Sequence, residues 1–218
     1  MANATRTVLV EPQRLTGWFD RFGAGHGGVL RTEVAPREVT VRAADGATAS
    51  VSVPFEPLDA EPGERPGLQV DDLVAHVARP RRVALLLVRL GGYSVGVALG
   101  DDVQLSSTDR RLVHARHRAG GSSANRFRRR REGQARVALQ AAADAAARVL
   151  VPRLDEVDAV VLGGDRAALA QLRADRRLTP LFERAEPAVL DVPEPRYAVL
   201  TEAARRARCA RVRVTDPP

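Results

Sequence analysis

Residues Arg82–Leu90 read R-V-A-L-L-L-V-R-L, and this short apolar run decides the fold. Pro80 precedes the run and Gly91-Gly92 follow it, so residues that interrupt regular structure stand on both sides. An apolar run of this length between such breaks is typical of a buried strand. Tyr93–Leu99, directly after the glycine pair, predicts the strand that returns beside it.

Two further segments extend this sheet. Asp102–Ser107 predicts a third strand and Arg111–Ala115 a fourth, so the strands form a meander. A long helix is predicted from about Ser123 to about Leu150, because its second half is rich in alanine and Pro152 marks its end. The segment that joins the last strand to this helix is therefore expected at an edge of the sheet.

Helices and strands alternate in the rest of the chain. Asp158–Leu162 predicts a strand, and after Gly163-Gly164 we interpret Asp165 as the N-cap of a helix over Ala167–Arg173. No Gly-x-Gly-x-x-Gly or Gly-x-x-x-x-Gly-Lys motif accompanies this turn, so a nucleotide site is not predicted there. A helix over Tyr197–Arg208 and a strand over Arg211–Val214 close the chain. The predicted fold class is α/β (α+β), with a mixed β-sheet and packed helices.

The N-terminal part predicts a small α+β unit. Pro12–Phe22 carries apolar residues at helical spacing, among them Trp18, which we assign to the core. Arg37–Arg42 and Thr48–Phe55 alternate as strands do, joined by a hairpin turn at Asp45-Gly46. Leu58–Gly67 has the composition of a linker, so the predicted domains are residues 1–62 and 67–218, the larger carrying a basic Gly-Gly loop at 116–131.

The charge balance points to a polyanionic partner. The 218 residues include 34 basic and 27 acidic ones, and the sequence pI is about 11.0. Nucleic acid is the first candidate for such a partner. All the basic residues are arginine, which a coding bias explains as well as selection for phosphate binding does. The clustering of the arginines therefore carries more information than their number.

Several classes of protein are excluded or disfavoured by composition. A single Cys209 allows no internal disulfide framework and no cysteine metal cluster. No apolar stretch approaches the roughly 20 residues that cross a bilayer, so we expect a cytoplasmic protein without a membrane partner. We predict no cofactor and no metal, because no His-x-x-x-His pair occurs among the histidines, His26, His76, His114 and His117.

Arg116–Arg131 reads R-H-R-A-G-G-S-S-A-N-R-F-R-R-R-R, and seven of these sixteen residues are arginine. The run Arg128–Arg131 cannot lie on a core-facing helix surface, because successive side chains step round the axis by about 100°. The first turns of the long helix are therefore expected to project from the core. Gly120-Gly121 keep side chains away from the same patch, which suits close approach to a phosphate-bearing substrate.

Ala119–Gln134, A-G-G-S-S-A-N-R-F-R-R-R-R-E-G-Q, resembles the catalytic loop and following helix of the actinobacterial Vms-like, release-factor-type peptidyl-tRNA hydrolases. That family is similar to the catalytic domain of eukaryotic and archaeal class 1 release factors. The order of elements agrees from about Val70 to Val214. The resemblance implies hydrolysis of the ester between nascent peptide and tRNA on the large ribosomal subunit, with rRNA and peptidyl-tRNA as partners.

The resemblance also assigns roles within the segment. Backbone amides around Ser123, Ala124 and Asn125 stabilise the oxyanion or the leaving oxygen, Gly120 and Gly121 give access, and water is the nucleophile. The residues expected to contact RNA phosphates are Arg116, His117, Arg118, Arg126, Arg128, Arg129, Arg130 and Arg131. We expect a monomer.

One departure from the family pattern leaves two readings open. Family members carry a glutamine a few residues after the glycine pair, where this chain has Ala124-Asn125. The side chain of asparagine is shorter than that of glutamine, so Asn125 places its amide about 1.5 Å nearer to the backbone. A misplacement near 1 Å costs about a hundredfold in rate. Either backbone amides supply most of the catalysis and hydrolysis is weakened, or the protein binds the ribosome without hydrolysis.

Two other enzyme classes use residues of the same segment. A ribonuclease can employ His114 and His117 as acid and base, although residues three apart in a strand-to-loop segment point to opposite sides. A serine hydrolase through Ser122 or Ser123 lacks the Gly-x-Ser-x-Gly motif and a base placed by the sequence. We interpret these serines as helix caps.

Overall fold

The structure of the protein is a computed structural model. It describes residues 4–89, 91–110 and 122–217, and residues 122–132 are described through their backbone alone. These residues divide into two compact units. The first unit comprises Met1–Pro80 and Arg206–Pro218, and the second comprises Arg81–Arg205. Each unit has its own sheet and its own apolar core.

The strands of the described residues, in chain order, are β1 (Thr5–Val10), β2 (Val29–Val34), β3 (Glu38–Ala43), β4 (Thr48–Ser52), β5 (Gly63–Pro66), β6 (Arg82–Arg89), β7 (Gly92–Leu99), β8 (Asp102–Arg110), β9 (Ala159–Gly164), β10 (Ala185–Leu190) and β11 (Ala210–Thr215). The α-helices are α1 (Leu15–Gly25), α2 (Asp71–Ala78), α3 (Ser122–Val149), α4 (Arg166–Leu172), α5 (Thr179–Glu183) and α6 (Tyr197–Ala207). The mixed strands and packed helices confirm the predicted fold class.

The first unit is an antiparallel sheet in the order β1-β11-β4-β3-β2-β5. Buried and exposed residues alternate along β3 and β11, as expected of strands with one face in a core. Phe19 of α1 and Leu73 of α2 are buried against that face. Trp18 packs on the same core and stacks on Phe22, with 5.7 Å between ring centroids, which agrees with its assignment to the core.

The segment predicted as a linker, Leu58–Gly67, is part of this sheet. Within it, β5 pairs with β2 along four residues. The buried Thr32 hydroxyl donates to the Gly67 carbonyl at 2.8 Å, and the Leu58 side chain is buried. The prediction was wrong because proline and glycine are also compatible with an edge strand, where one side of the backbone needs no partner.

The predicted division at 62/67 also differs from the structure. The second unit begins at Arg81, and residues 206–217 belong with the first unit. The reason is β11, which hydrogen-bonds between β1 and β4 in the first sheet. Such pairing between residues more than 150 positions apart leaves no local signal in the sequence.

The second unit is a mixed sheet in the order β10-β9-β6-β7-β8. β10, β9 and β6 run parallel, β7 is antiparallel to β6, and β8 is antiparallel to β7. Four strands therefore share one direction, with β7 reversed among them. The predicted strands over Arg82–Leu90, Tyr93–Leu99 and Asp102–Ser107 correspond to β6, β7 and β8, whereas the one over Arg111–Ala115 lies outside the described residues.

β6 is the centre of this sheet and is covered on both faces. Leu86 and Val88 point into a core shared with α3 and α4, and Leu85 and Leu87 are fully buried on the opposite face. Leu200 of α6 reaches that second face. Double coverage explains why β6 has no polar residue at alternate positions.

The long helix α3 lies between β8 and β9 in the chain. It has 28 residues, roughly 42 Å at 1.5 Å per residue. Its C-terminal half is packed on the sheet through small side chains, and the buried residues are Ala138, Leu139, Ala142, Ala143, Ala145, Ala146 and Val149. Alanines allow the helix axis to approach β7 closely.

An ion-pair network, here called the Arg177 latch, ties α3 to the 3-10 helix Arg176–Leu178. The Arg177 guanidinium lies 2.9 Å from Asp144 Oδ1 and 2.6 Å from Asp175 Oδ2. Gln140 Nε2 donates to the same Asp144 oxygen at 3.0 Å. Hydrogen bonds from Arg177 lower the pKa of both carboxyls below their usual range.

Two glycine substitutions are expected to have opposite effects on stability. A Cβ at Gly96 would lie 2.6 Å from the Leu105 carbonyl oxygen and 2.8 Å from Leu200 Cδ2, so Gly96→Ala should lower the free energy of unfolding by about 1–3 kcal/mol. A Cβ at Gly133 in α3 meets no described atom within 4 Å, so Gly133→Ala should raise it by about 0.5–1 kcal/mol. Urea unfolding followed by circular dichroism measures both, and equal effects would contradict the packing described for β7.

The Arg177 latch predicts a pH-dependent contribution to stability. Because the folded-state pKa values of Asp144 and Asp175 are lowered, the contribution is present above the ordinary aspartate pKa near 4 and is lost as the pH falls through the lowered values. Arg177→Met should therefore lower the melting temperature at pH 7, and the difference from wild type should shrink towards pH 3. Arg176→Met, an exposed neighbour, is the control. A difference that is constant with pH would exclude the latch.

Candidate functional site

The carboxyl ends of β6, β8, β9 and β10 meet at one edge of the second sheet, which we call the carboxyl edge. In register, Arg89 of β6 pairs with Gly92, Gly92 pairs with Arg110 of β8, and Val88 pairs with Gly164 of β9. Open sheets of parallel strands bind ligands outside this edge, because the connecting loops gather there. The segment 111–121 leaves β8 at the carboxyl edge.

The turn after β9 is a rigid part of this edge. Gly164 has φ of +101°, and a Cβ there would collide with the Val88 carbonyl. The Asp165 amide donates to that same carbonyl at 2.8 Å. The Asp165 carboxylate accepts the Ala167 amide at 2.9 Å, so the predicted N-cap is confirmed. These contacts make the turn structural.

Further along the edge, Arg89 ties β6 to the chain after β10. Its Nη1 donates to the Val192 carbonyl at 2.7 Å. A half-buried pair of hydroxyls supports the adjacent strands, since the Oγ of Ser94 in β7 and the Oγ1 of Thr108 in β8 lie 2.6 Å apart. The strand ends that precede and flank segment 111–121 are therefore held by side chains as well as by the ladder.

Some of the predicted site residues lie in α3, and the others lie outside the described residues. α3 begins at Ser122, so Ser123, Ala124 and Asn125 belong to its first turn. The first four amides of a helix have no partner within it and are free to donate to a ligand. Arg126 and Arg128–Arg131 follow in the next turns. The other predicted residues, Arg116, His117, Arg118, Gly120 and Gly121, lie outside the described residues, as does His114.

The first turn of α3 is far from the part of the helix that is packed. Among residues 133–149, the part of α3 whose side chains the structure describes, Ala138 is the first buried one, 16 positions after Ser122, which is roughly 24 Å of helix. Residues 133–135 are half-buried, and Arg136 and Val137 are exposed. The helix therefore carries its first turn well beyond the packed core of its second half.

The net charge of the protein is concentrated beside this helix start. Residues 110–131 contain nine of the 34 arginines and no aspartate or glutamate. The rest of the chain has 25 basic residues against 27 acidic ones, so it is slightly acidic. The net positive charge of the chain therefore comes from this segment alone.

The other polar groups do not form a second chemical centre in the described ranges. No group of three metal-ligating side chains occurs there. His26 Nδ1 lies 2.8 Å from Asp45 Oδ2, and His76 Nε2 lies 2.9 Å from the Pro54 carbonyl, so both histidines have structural contacts in the first unit. None of the helices in the described chain is long and apolar enough to cross a bilayer. Sequence reasoning missed the Arg177 latch, because Asp144 and Arg177 lie more than 30 positions apart.

Two solved structures of archaeal proteins are similar to this chain at low sequence identity. A crystal structure of the archaeal translation termination factor aRF1 matches 95% of this chain at 15% identity with a TM-score of 0.46, and the chain spans 65% of that factor's length. A second structure, described as an archaeal protein, matches 89% of this chain and 69% of its own length at 12% identity, with a TM-score of 0.40. No match is found among curated protein sequences.

The family model described as the Actinobacteria/chloroflexi VLRF1 release factor matches residues 81–213. This range covers more than half of the 218 residues and contains β8, the arginine-rich segment and α3. It begins at the first residue of the second unit and runs into β11. The chain therefore belongs to the actinobacterial and chloroflexi VLRF1 release factor family.

Proposed function

We propose that this protein is a cytoplasmic peptidyl-tRNA hydrolase that releases nascent chains from the large ribosomal subunit in ribosome rescue. The observation that carries the proposal is the family match over 81–213, which includes the basic connection between β8 and α3. Membership of a release-factor family supports a role in translation. The hydrolytic activity and the partners, the large-subunit rRNA and peptidyl-tRNA, belong to the proposal.

The charge distribution supports RNA as the surface that this connection meets. The rest of the chain carries almost no net charge, so residues 110–131 supply the attraction to RNA and determine the orientation of approach. Arginines bind phosphates in a geometry that two parallel hydrogen bonds define, and their affinity depends strongly on salt. In this proposal the arginines, with His117, position the protein and take no part in bond making.

The first turn of α3 supports the proposed ester hydrolysis. In the proposed step, a water oxygen attacks the ester carbonyl, the tetrahedral oxyanion forms, and the 3′ oxygen of tRNA leaves with a proton. Unpaired amides at Ser123, Ala124 and Asn125 donate to the oxyanion or to the leaving oxygen, where a positive helix end is favourable. Gly120 and Gly121 leave space for the ester. No covalent enzyme intermediate is required.

A second candidate function is ribosome binding without hydrolysis. The specific observation in its favour is Ala124-Asn125, where the resemblance predicts a glutamine. A shorter side chain cannot orient a water at the same distance, although the backbone amides are unaffected. We favour weakened hydrolysis, because amide donors at a helix start do not depend on that side chain.

Peptide release from purified large subunits that carry peptidyl-tRNA tests the proposed function. The wild type should release peptide, and Gly121→Ala should slow release by about a hundredfold, because a methyl group would displace the ester by about 1 Å. Asn125→Ala should retain most of the activity, whereas Asn125→Gln should raise it by about tenfold or more. Binding to the subunits is measured in parallel by sedimentation.

The outcomes of this assay separate the candidates. Binding of the wild type without release would establish the second candidate function. Release that depends on Asn125 and tolerates Gly121→Ala would exclude amide catalysis. Cleavage of the RNA itself would point to His114 and His117 as a nuclease pair.

The salt dependence of binding tests the role of the arginines. Replacing Arg128–Arg131 with alanine should reduce the slope of log K against log salt by roughly three to four for binding to large subunits, about one per phosphate contact. Alanine favours helix, so the variant should fold. A control variant removes the same charge from exposed sites elsewhere, namely Arg14, Arg21, Arg166 and Arg176. Equal slopes for the two variants would contradict the assignment.

A further inference from the structure

A groove lies between α3 and α4 in the second unit, and we call it the α3–α4 groove. Its floor is formed by the buried side chains of Leu139, Ala143 and Leu172. Polar side chains stand around this floor, namely Arg136, Gln140, Gln171 and Asp175. Ala143 deepens the groove, because a small residue occupies a position where a larger one would fill the space between the helices.

The polar side chains of the groove differ in how many of their atoms already have a hydrogen-bond or ion-pair partner. Asp175 is paired with Arg177, and because that guanidinium is shared with Asp144, the latch as a whole keeps one net negative charge. Gln140 donates from Nε2 to Asp144, which leaves its carbonyl oxygen as an acceptor. Arg136 and Gln171 are exposed and make no hydrogen bond or ion pair to another described side chain. The groove thus offers one guanidinium, one full carboxamide and one amide oxygen above an apolar floor.

The groove continues a face of α3 that runs towards the start of the helix. Residues three or four apart lie on the same face, so positions 143, 140, 136, 133, 129 and 126 form one stripe along α3. Two of them, Arg126 and Arg129, belong to the arginine-rich segment. A strand of RNA that follows this stripe from the helix start arrives at Arg136 and then at the groove.

We propose that the α3–α4 groove binds an unpaired nucleotide of RNA. The base lies on the apolar floor, its edge accepts and donates hydrogen bonds with the Gln171 carboxamide and the Gln140 oxygen, and its phosphate binds Arg136. Proteins read unstacked RNA bases through contacts of this kind. The proposal rests on the proposed function in one respect, since it takes RNA as the partner of α3.

RNA fits these groups better than a peptide does. An extended peptide requires a row of backbone donors and acceptors, and the described walls of the groove come from helices, whose backbone groups are paired internally. The guanidinium next to two amide groups matches a phosphate next to a base edge. The planar base can also pack against a floor made of aliphatic side chains.

Fluorescence anisotropy with labelled ten-nucleotide RNAs tests the groove directly. The probes are a single-stranded RNA and the same strand with abasic residues at its four central positions. The wild type should bind the complete strand about five- to tenfold more tightly than the abasic strand, because the base edge contributes hydrogen bonds. The double variant Arg136→Met, Gln171→Met should bind both strands equally.

Matched controls and a second assay make the result decisive. Arg148→Met on α3 and Gln104→Met on β8 replace exposed residues of the same types outside the groove, and this double variant should keep the wild-type preference. A wild type without preference for the complete strand would overturn the proposal, as would a groove variant that behaves like the control. Peptide release is measured on the same proteins. Failure of release with base preference intact would reject the proposed function and leave the groove standing.

Discussion

The burial of β6 on both faces is the constraint on which the second unit depends. Leu86 and Val88 face one core, while Leu85 and Leu87 are buried on the other side. Burying one such side chain contributes about 1.5–3 kcal/mol, so the strand cannot shift register or lose a covering layer without a large loss of stability. Because β9 and β7 take their register from β6, the carboxyl edge and the exit point of segment 111–121 follow from this burial.

The two ends of α3 need different surroundings. Its second half approaches the sheet through alanines, and its first turns carry arginines that no apolar core accepts. A long helix satisfies both, because its internal hydrogen bonds do not depend on what surrounds it. The helix therefore links a packed anchor to a charged segment across roughly 24 Å.

Much of the second unit could be predicted from the sequence. The strand at Val83–Val88, the helix at α3 and the cap at Asp165 have local signals, namely an apolar run, a periodic pattern and a side chain that pairs with a nearby amide. The elements that were not predicted include β1, β2, β5, β10 and α5. β10 contains Glu186 and Pro187, whose polarity and ring disfavour a strand until β9 supplies its partner. The α3–α4 groove was also missed, since its walls come from separate helices.

By itself, the sequence determined the buried central strand, the long helix after a glycine pair, and the concentration of positive charge between residues 110 and 131. These features are local in the chain, because periodicity, capping and charge clustering each act over a few residues. Only the tertiary structure decided that Gly63–Pro66 is an edge strand and that β11 lies between β1 and β4 in the first sheet. It also decided which four strand ends meet at the carboxyl edge. Those outcomes depend on hydrogen bonds between distant residues, whose free energy is available only after the chain has folded.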